Sequence, residues 1–320
     1  MKKFMFIVIV LIFAGTSGNT QSKYGSEIFH ILQSPSQNSL GGGPASSDGN
    51  VFSFLYNPAG VEHQKPMQLG FIHTQQFISD ISYSFLATSF DYDSNRITLG
   101  VARIGIDNVL NSLDAYVSSG NDWGIDFSQI KSMNVADYIF IAGLVPKKKF
   151  LNFRVGFNLK YVRRNYDVAH ANGIGFDIGL KRNLYRNFEM HARFANALGT
   201  LIHWSTGKNE YLYPELSYGL RYFQALKKSI RIVVLANIFH YFENRSEADL
   251  QSSLISSDMS IGSELVYNNI IGIKAGRNQF GRVVLGMMVR IPKIEFNYAY
   301  SRESELGNVH NLNIIFSLPY

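Results

Sequence analysis

From Met67 onward, apolar and polar residues alternate with a period of two, in run after run separated by turns. That period puts successive side chains on opposite faces of an extended strand, so the segment is committed to sheet with one apolar and one polar face. Phe153, Val155, Phe157, Leu159 and Tyr161 share one face, with Arg154, Gly156, Asn158 and Lys160 opposite. Ile174, Phe176, Ile178 and Leu180 oppose Gly173, Gly175, Asp177, Gly179 and Lys181, and Phe188, Met190 and Phe194 oppose Glu189, His191 and Arg193. The pattern returns with Leu216, Tyr218, Leu220 and Tyr222 against Ser217, Gly219 and Arg221, and with Ile294, Phe296, Tyr298 and Tyr300 against Glu295, Asn297 and Ala299. The runs extend about 9 to 13 residues, where a tilted strand needs roughly 9 to 11 to cross a bilayer and soluble strands average about 5 to 6. Their count predicts an all-β fold, a transmembrane antiparallel barrel of about 14 strands.

Composition agrees. Aromatic residues reach 14% while charged residues are only 17%, against roughly 25% in soluble domains. No apolar run reaches the roughly 18 residues of a spanning helix, and a closed barrel is the other structure that satisfies its backbone in lipid. The connections alternate in length. Those near Asp91 to Asn95, Pro146 to Lys149, Lys181 to Asn187, Gln224 to Ser229, Asn268-Asn269 and Pro292-Lys293 are short, whereas Asp107 to Val135, Leu198 to Tyr213 and Glu243 to Ser257 are long. Short turns belong on the periplasmic side and long loops outside.

Ahead of the strands, Lys2 and Lys3 precede an apolar run from Phe4 to Ala14, the layout of a secretory signal peptide and too short for a membrane anchor. The chain therefore divides into 1–20 signal peptide, 21–65 plug and 66–320 transmembrane barrel. The plug segment is rich in Ser, Asn, Gly and Pro, as in Gly41-Gly42-Gly43-Pro44. With no Cys there is no disulfide, thiolate metal site or lipidated N-terminal cysteine. The net charge of +6 becomes +4 once Lys2 and Lys3 leave (6 − 2 = 4), and the scattered basic residues imply no nucleic-acid partner.

Asn57, Pro58, Ala59 and Gly60 form a plug-hinge motif: Pro58 fixes φ, Asn57 can bond nearby backbone, and Gly60 permits a turn where plug meets first strand. A direct ligand contact is the alternative. The lumen-facing polar set is Arg154, Lys160, Asp177, Glu189, His191, Arg193, Arg221 and Glu295. Its mixed signs favour bracing of wall and plug over an ion-selective path. The eight His show no metal spacing. No catalytic constellation stands out, His203 with Ser205 being the nearest approach, so no enzyme, metal or cofactor is expected.

Several segments resemble the PorV/PorQ proteins, which belong with the FadL-like long-chain fatty-acid transporter barrels. They are Leu40 to Gly43 with Leu55 to Gly60, Ile97 to Asn108, Asn196 to Gly199 with Tyr213 to Leu216, and Phe296 to Ser301 with Leu306 to His310. The terminal Tyr320 resembles the aromatic signal of bacterial barrels. The resemblance implies a bacterial outer-membrane barrel of 14 strands with a luminal hatch. For PorV and PorQ it implies docking of secretion-system proteins in type IX secretion; for the transporters, passage of a hydrophobic ligand. The partners so implied are outer-membrane lipid together with one of these.

Overall fold

A computed structural model describes residues 27–63, 66–76, 81–119, 122–166, 169–242, 248–252, 255–303 and 307–318. The signal-peptide segment and Tyr320 lie outside the described residues. Two short helical turns, Glu27–His30 and Pro35–Asn38, and three 3-10 turns, Pro44–Ser46, Val51–Leu55 and Pro58–Gly60, precede the sheet. The strands then run β1 (Met67–Gln76), β2 (Ile81–Tyr92), β3 (Asn95–Asn111), β4 (Tyr116–Ser119), β5 (Asp122–Ile125), β6 (Lys131–Pro146) and β7 (Arg154–Tyr166). They continue with β8 (Ala169–Tyr185), β9 (Phe188–Ala195), β10 (Thr200–Trp204), β11 (Asn209–Leu212), β12 (Glu215–Lys227), β13 (Ile230–Tyr241) and β14 (Leu250–Gln251). The last are β15 (Ser256–Tyr267), β16 (Ile271–Arg277), β17 (Val283–Ile291), β18 (Ile294–Glu303) and β19 (Gly307–Leu318).

The sheet closes on itself. Neighbours in sequence pair antiparallel, and β1 pairs with β19 from Met67↔Leu318 to Gln75↔His310, giving a closed antiparallel barrel of 14 strands. Closure leaves no unpaired edge, which is what allows a sheet to sit in hydrocarbon. The apolar face of the alternation points outward: Leu86, Leu99, Phe140, Leu159, Ile174, Leu220, Ile261, Ile273 and Leu285 are all exposed. Turn chemistry sets the tight end. Asn268 and Asn269 both take positive φ, 50° and 58°, as the central positions of a type I′ turn require, and the Ile270 N–H closes that turn on the Tyr267 carbonyl at 2.9 Å, while Lys293 follows Pro292 with φ 70°.

Two long connections are more ordered than expected. β3 runs on to Asn111 and β6 begins at Lys131, after a bulge at Asp107 and Asn108, and the intervening segment folds into the small β4–β5 hairpin. The connection after β9 rises as the β10–β11 hairpin, with β10 rejoining the wall on β8. Between these ladders β8 advances from Ile174 to Ile178 while its partner advances from Leu201 back to Phe194, so four steps face seven. The surplus is the turn Asn196 to Gly199, where Asn196 (φ 49°) and Gly199 (φ 75°) take left-handed conformations.

Residues 27–63 lie within the barrel, and from Ser34 to Val61 nearly every residue is buried.

Candidate functional site

The lumen holds the plug by its backbone. Asn158 Nδ2 donates to the Phe54 carbonyl at 2.8 Å, and Arg221 Nη1 donates to the Ser47 carbonyl at 2.7 Å. Asn237 Oδ1 accepts from the Ala45 N–H at 2.8 Å, while Asn311 and Asn313 donate to Gln33 O and Ser34 Oγ, each at 3.0 Å. The plug has little regular structure to satisfy its own peptides, so the wall's amides and guanidinium do it. Tyr56 ties two parts of the plug together: its hydroxyl accepts from the Ser34 N–H at 2.8 Å, and burial pushes its pKa up.

Asn57 to Gly60 do not sit at the junction with β1. They dock against β7 and β8 in mid-lumen, all buried. Asn57 caps the turn by accepting from the Ala59 N–H at 2.9 Å, and its Nδ2 donates to the Leu180 carbonyl at 3.0 Å. Gly156 and Gly179 make room for them: a Cβ at either would fall inside the contact radius of Pro58, Ala59 or Asn57. Gly60 has no positive φ; it is needed because a Cβ would approach Ser47 to 2.7 Å. The motif is thus a docking element, and close packing rather than turn freedom selects its glycine.

The polar residues named from the sequence all face inward but divide into separate groups. Toward the loops, Asp177 binds Lys160 at 2.6 Å and Arg193 at 3.1 Å, and Lys160 also donates to Asn196 Oδ1 at 2.8 Å. The Phe29 ring of the plug lies 4.0 Å from the Lys160 ammonium, a cation–π contact that closes the group from above. Toward the turns, Glu189 binds Lys181 at 3.1 Å and stands 3.4 Å from His191, while His191 meets Asn57 at 3.4 Å. Glu295 pairs with Arg290 at 2.6 Å. Arg154 Nη1 is buried and has no hydrogen-bond partner among the described residues. Below the plug opens a chamber of about 520 Å³ where Asp48, Glu62, Glu264 and Glu295 face Lys181, Arg221, Arg231 and Arg290. Both signs are interleaved there, so no single-sign field forms.

One sector escaped the sequence reading. On β1, β2, β3, β6 and β7 the inward residues are Ile72, Tyr83, Phe85, Ala102, Ile104, Ile139, Ile141 and Val162, and they pack on Val51, Phe52, Phe54 and Leu55 of the plug. Phe54 and Phe85 stack with centroids 6.0 Å apart. The signal was present, because Ile139-Phe140-Ile141 and Phe71-Ile72 are apolar on both faces, and unbroken apolar runs mark strands buried on both sides. Within this sector the Tyr83 hydroxyl has no hydrogen-bond partner among the described residues. Elsewhere, His203 Nδ1 lies 2.6 Å from Asn209 Oδ1, and Ser205 Oγ accepts from the His170 N–H at 3.1 Å. The two groups are therefore engaged with other partners.

No family model matches the chain, and no curated protein matches it. Among solved structures, it is similar to a toluene transporter, TodX, of P. putida, with a TM-score of 0.55 and 12% identity over 90% of this chain and 99% of that one. A second TodX structure from Pseudomonas putida gives 0.53 and 14% over 88% and 96%. The monoaromatic hydrocarbon channel CymD gives 0.50 and 12% over 90% and 98%. At these identities the likeness establishes the fold. The chain folds as a closed β-barrel of the outer-membrane type with its N-terminal segment as a plug in the lumen, the architecture it shares with TodX and CymD.

Proposed function

We propose that the protein passes small hydrophobic molecules across the outer membrane. The observation that carries this is the apolar sector inside the barrel, where Ile72, Phe85, Ile104, Ile139 and Ile141 face inward against the plug and would line an apolar path once the plug moves aside. It runs from the loop-side ends of β2 and β3 down to Phe52 and Phe54, and beyond the plug lies the polar chamber on the turn side. A hydrophobic solute finds partners as far as the plug, then weaker ones, which is the gradient needed for release. Passage requires the plug to shift, since it fills the sector. The fold shared with TodX and CymD supports the same reading. No catalytic step is part of it.

The test is uptake of labelled toluene and of a labelled long-chain fatty acid by host cells lacking their own hydrocarbon channels. Wild type should raise uptake of one of them above empty vector, and Ile139→Asp, which places a charge in the apolar sector, should abolish the gain. Uptake equal to vector for both would overturn the reading.

A second reading, docking of partner proteins in type IX secretion as the PorV/PorQ resemblance implies, is favoured by the loop side. Leu110, Tyr116, Val117, Ile125 and Phe127 around the β4–β5 hairpin are exposed, with Phe127 76% accessible. Apolar groups in such number on a loop suit a protein partner. Copurification of secretion-system proteins from native membranes, lost on deleting residues 112–130, would support it.

A further inference from the structure

The lipid-facing wall carries a feature that lies outside the luminal route. Over β2, β3, β6 and β7 an apolar groove of about 510 Å³ is sunk into the outer surface. Register explains it: Ala142 lies directly between Leu99 and Leu159, so a short side chain is flanked by long ones. One outward position nearer the loops, Leu86, Val101, Phe140 and Tyr161 are paired in series and form the groove's upper wall. The next outward position toward the loops changes character. Arg103 pairs with Tyr138, and Tyr138 with Arg163, so two guanidiniums stand on either side of one tyrosine directly above the groove. Adjacent strands are about 4.8 Å apart, which sets these two backbones roughly 10 Å apart, within the reach of two arginines for one phosphate.

We propose that this stretch of outer wall holds one phosphate-bearing acyl lipid of the outer leaflet, an acyl chain in the groove and the phosphate between Arg103 and Arg163. Arg103 donates to Asp107, and Arg163 donates to Asn172 Oδ1 at 3.0 Å. Each guanidinium has five N–H donors, so both retain donors for a headgroup. Two guanidiniums against the single Asp107 carboxylate leave the cluster net positive, complementary to a phosphate. The Tyr161 hydroxyl, which donates to the same Asn172 oxygen at 2.7 Å, sits where acyl chain gives way to headgroup. Neither arginine contacts the plug, so the site is independent of the transport reading.

Native mass spectrometry of the detergent-solubilised protein, titrated with lipid A and with its dephosphorylated form, tests this. Wild type should retain one lipid A and discriminate against the dephosphorylated form. Arg103→Gln with Arg163→Gln should weaken lipid A retention at least about tenfold, as expected for losing charge-assisted hydrogen bonds. Ala142→Leu, which fills the groove and leaves both arginines in place, should weaken it as well. Closed barrels would be verified for each variant by gel mobility without heating. Equal retention by the arginine variant, equal binding of the two lipid forms, or no effect of Ala142→Leu would each overturn the proposal.

Discussion

Asp177 is the residue on which the loop-side half of the lumen turns. Its carboxylate answers both Lys160 and Arg193 and accepts from the Asn196 N–H at 2.9 Å, which ties the left-handed turn of the wall to β8. Removing one member of a buried ion pair strands the other, at a cost of about 3–5 kcal/mol. Asp177→Asn strands two cations, whereas Lys160→Met leaves Asp177 still paired with Arg193. The aspartate variant should therefore lose more stability in urea unfolding from micelles; a larger loss for Lys160→Met would refute this bridging role. Outside the membrane, Asp249 plays the corresponding part in the loop before β15. The Met259 N–H, at 3.0 Å, with Arg277 behind it, holds the Asp249 carboxyl below the usual carboxylate range. A carboxyl depressed in the folded state stabilises above its unfolded pKa, and that contribution is lost as pH falls through the folded value. Protease resistance of this loop should persist through the ordinary carboxylate range and fail only at more acid pH. In Asp249→Asn it should be weak and independent of pH across that window.

At the scale of elements, the plug and wall meet by mutual loss of side chains. Gly156 and Gly179 lie opposite one another on β7 and β8, and the Asn57 to Gly60 turn rests on that bare patch. Gly179→Leu should leave the barrel closed, because the ladder uses backbone groups alone, but dislodge the turn. Planar-bilayer recordings should then show frequent openings where wild type is quiet; a quiet variant would mean that the turn does not seat the plug. These contacts also show what the sequence could reveal. Alternation exposed β7, β8, β9, β12 and β18 outright, because along these runs one face meets lipid and the other carries polar or small residues. It was silent on the apolar sector, where Ile139 and Phe140 are both apolar for different reasons, one against the plug and one against lipid. The lumen-facing residues were legible as a set from the period of two. Their division into separate groups was not, since it depends on which strands become neighbours and where the plug lies. Gly60 illustrates the same limit: a glycine two residues after a proline reads as a turn, but here its packing against Ser47 is the constraint.

For the molecule as a whole, the barrel and its plug make separable contributions. Closure is made by β1 on β19 and by ladders that run without the plug's backbone, so a chain lacking residues 27–63 should still insert and close. It would not be indifferent to the loss. Apolar groups such as Ile72, Phe85 and Ile139 would pass from packed contact to water, at roughly 25 cal/mol for each Å² of apolar surface exposed. Asn158, Arg221 and Asn237 would exchange plug partners for water at little net cost. The deletion should therefore lower the unfolding midpoint while retaining heat-modifiable mobility. It should also convert the barrel into an open pore of large conductance. Its ion selectivity should be slight, because Lys181, Arg221, Arg231 and Arg290 face Asp48's former neighbours Glu189, Glu264 and Glu295 around the same ring. Strong preference for anions or cations would mean that the plug, and not the wall, balances the charge of the lumen. An unchanged low conductance would mean that the wall collapses inward once its apolar sector loses Phe52 and Phe54, making the plug part of the barrel's core rather than its gate.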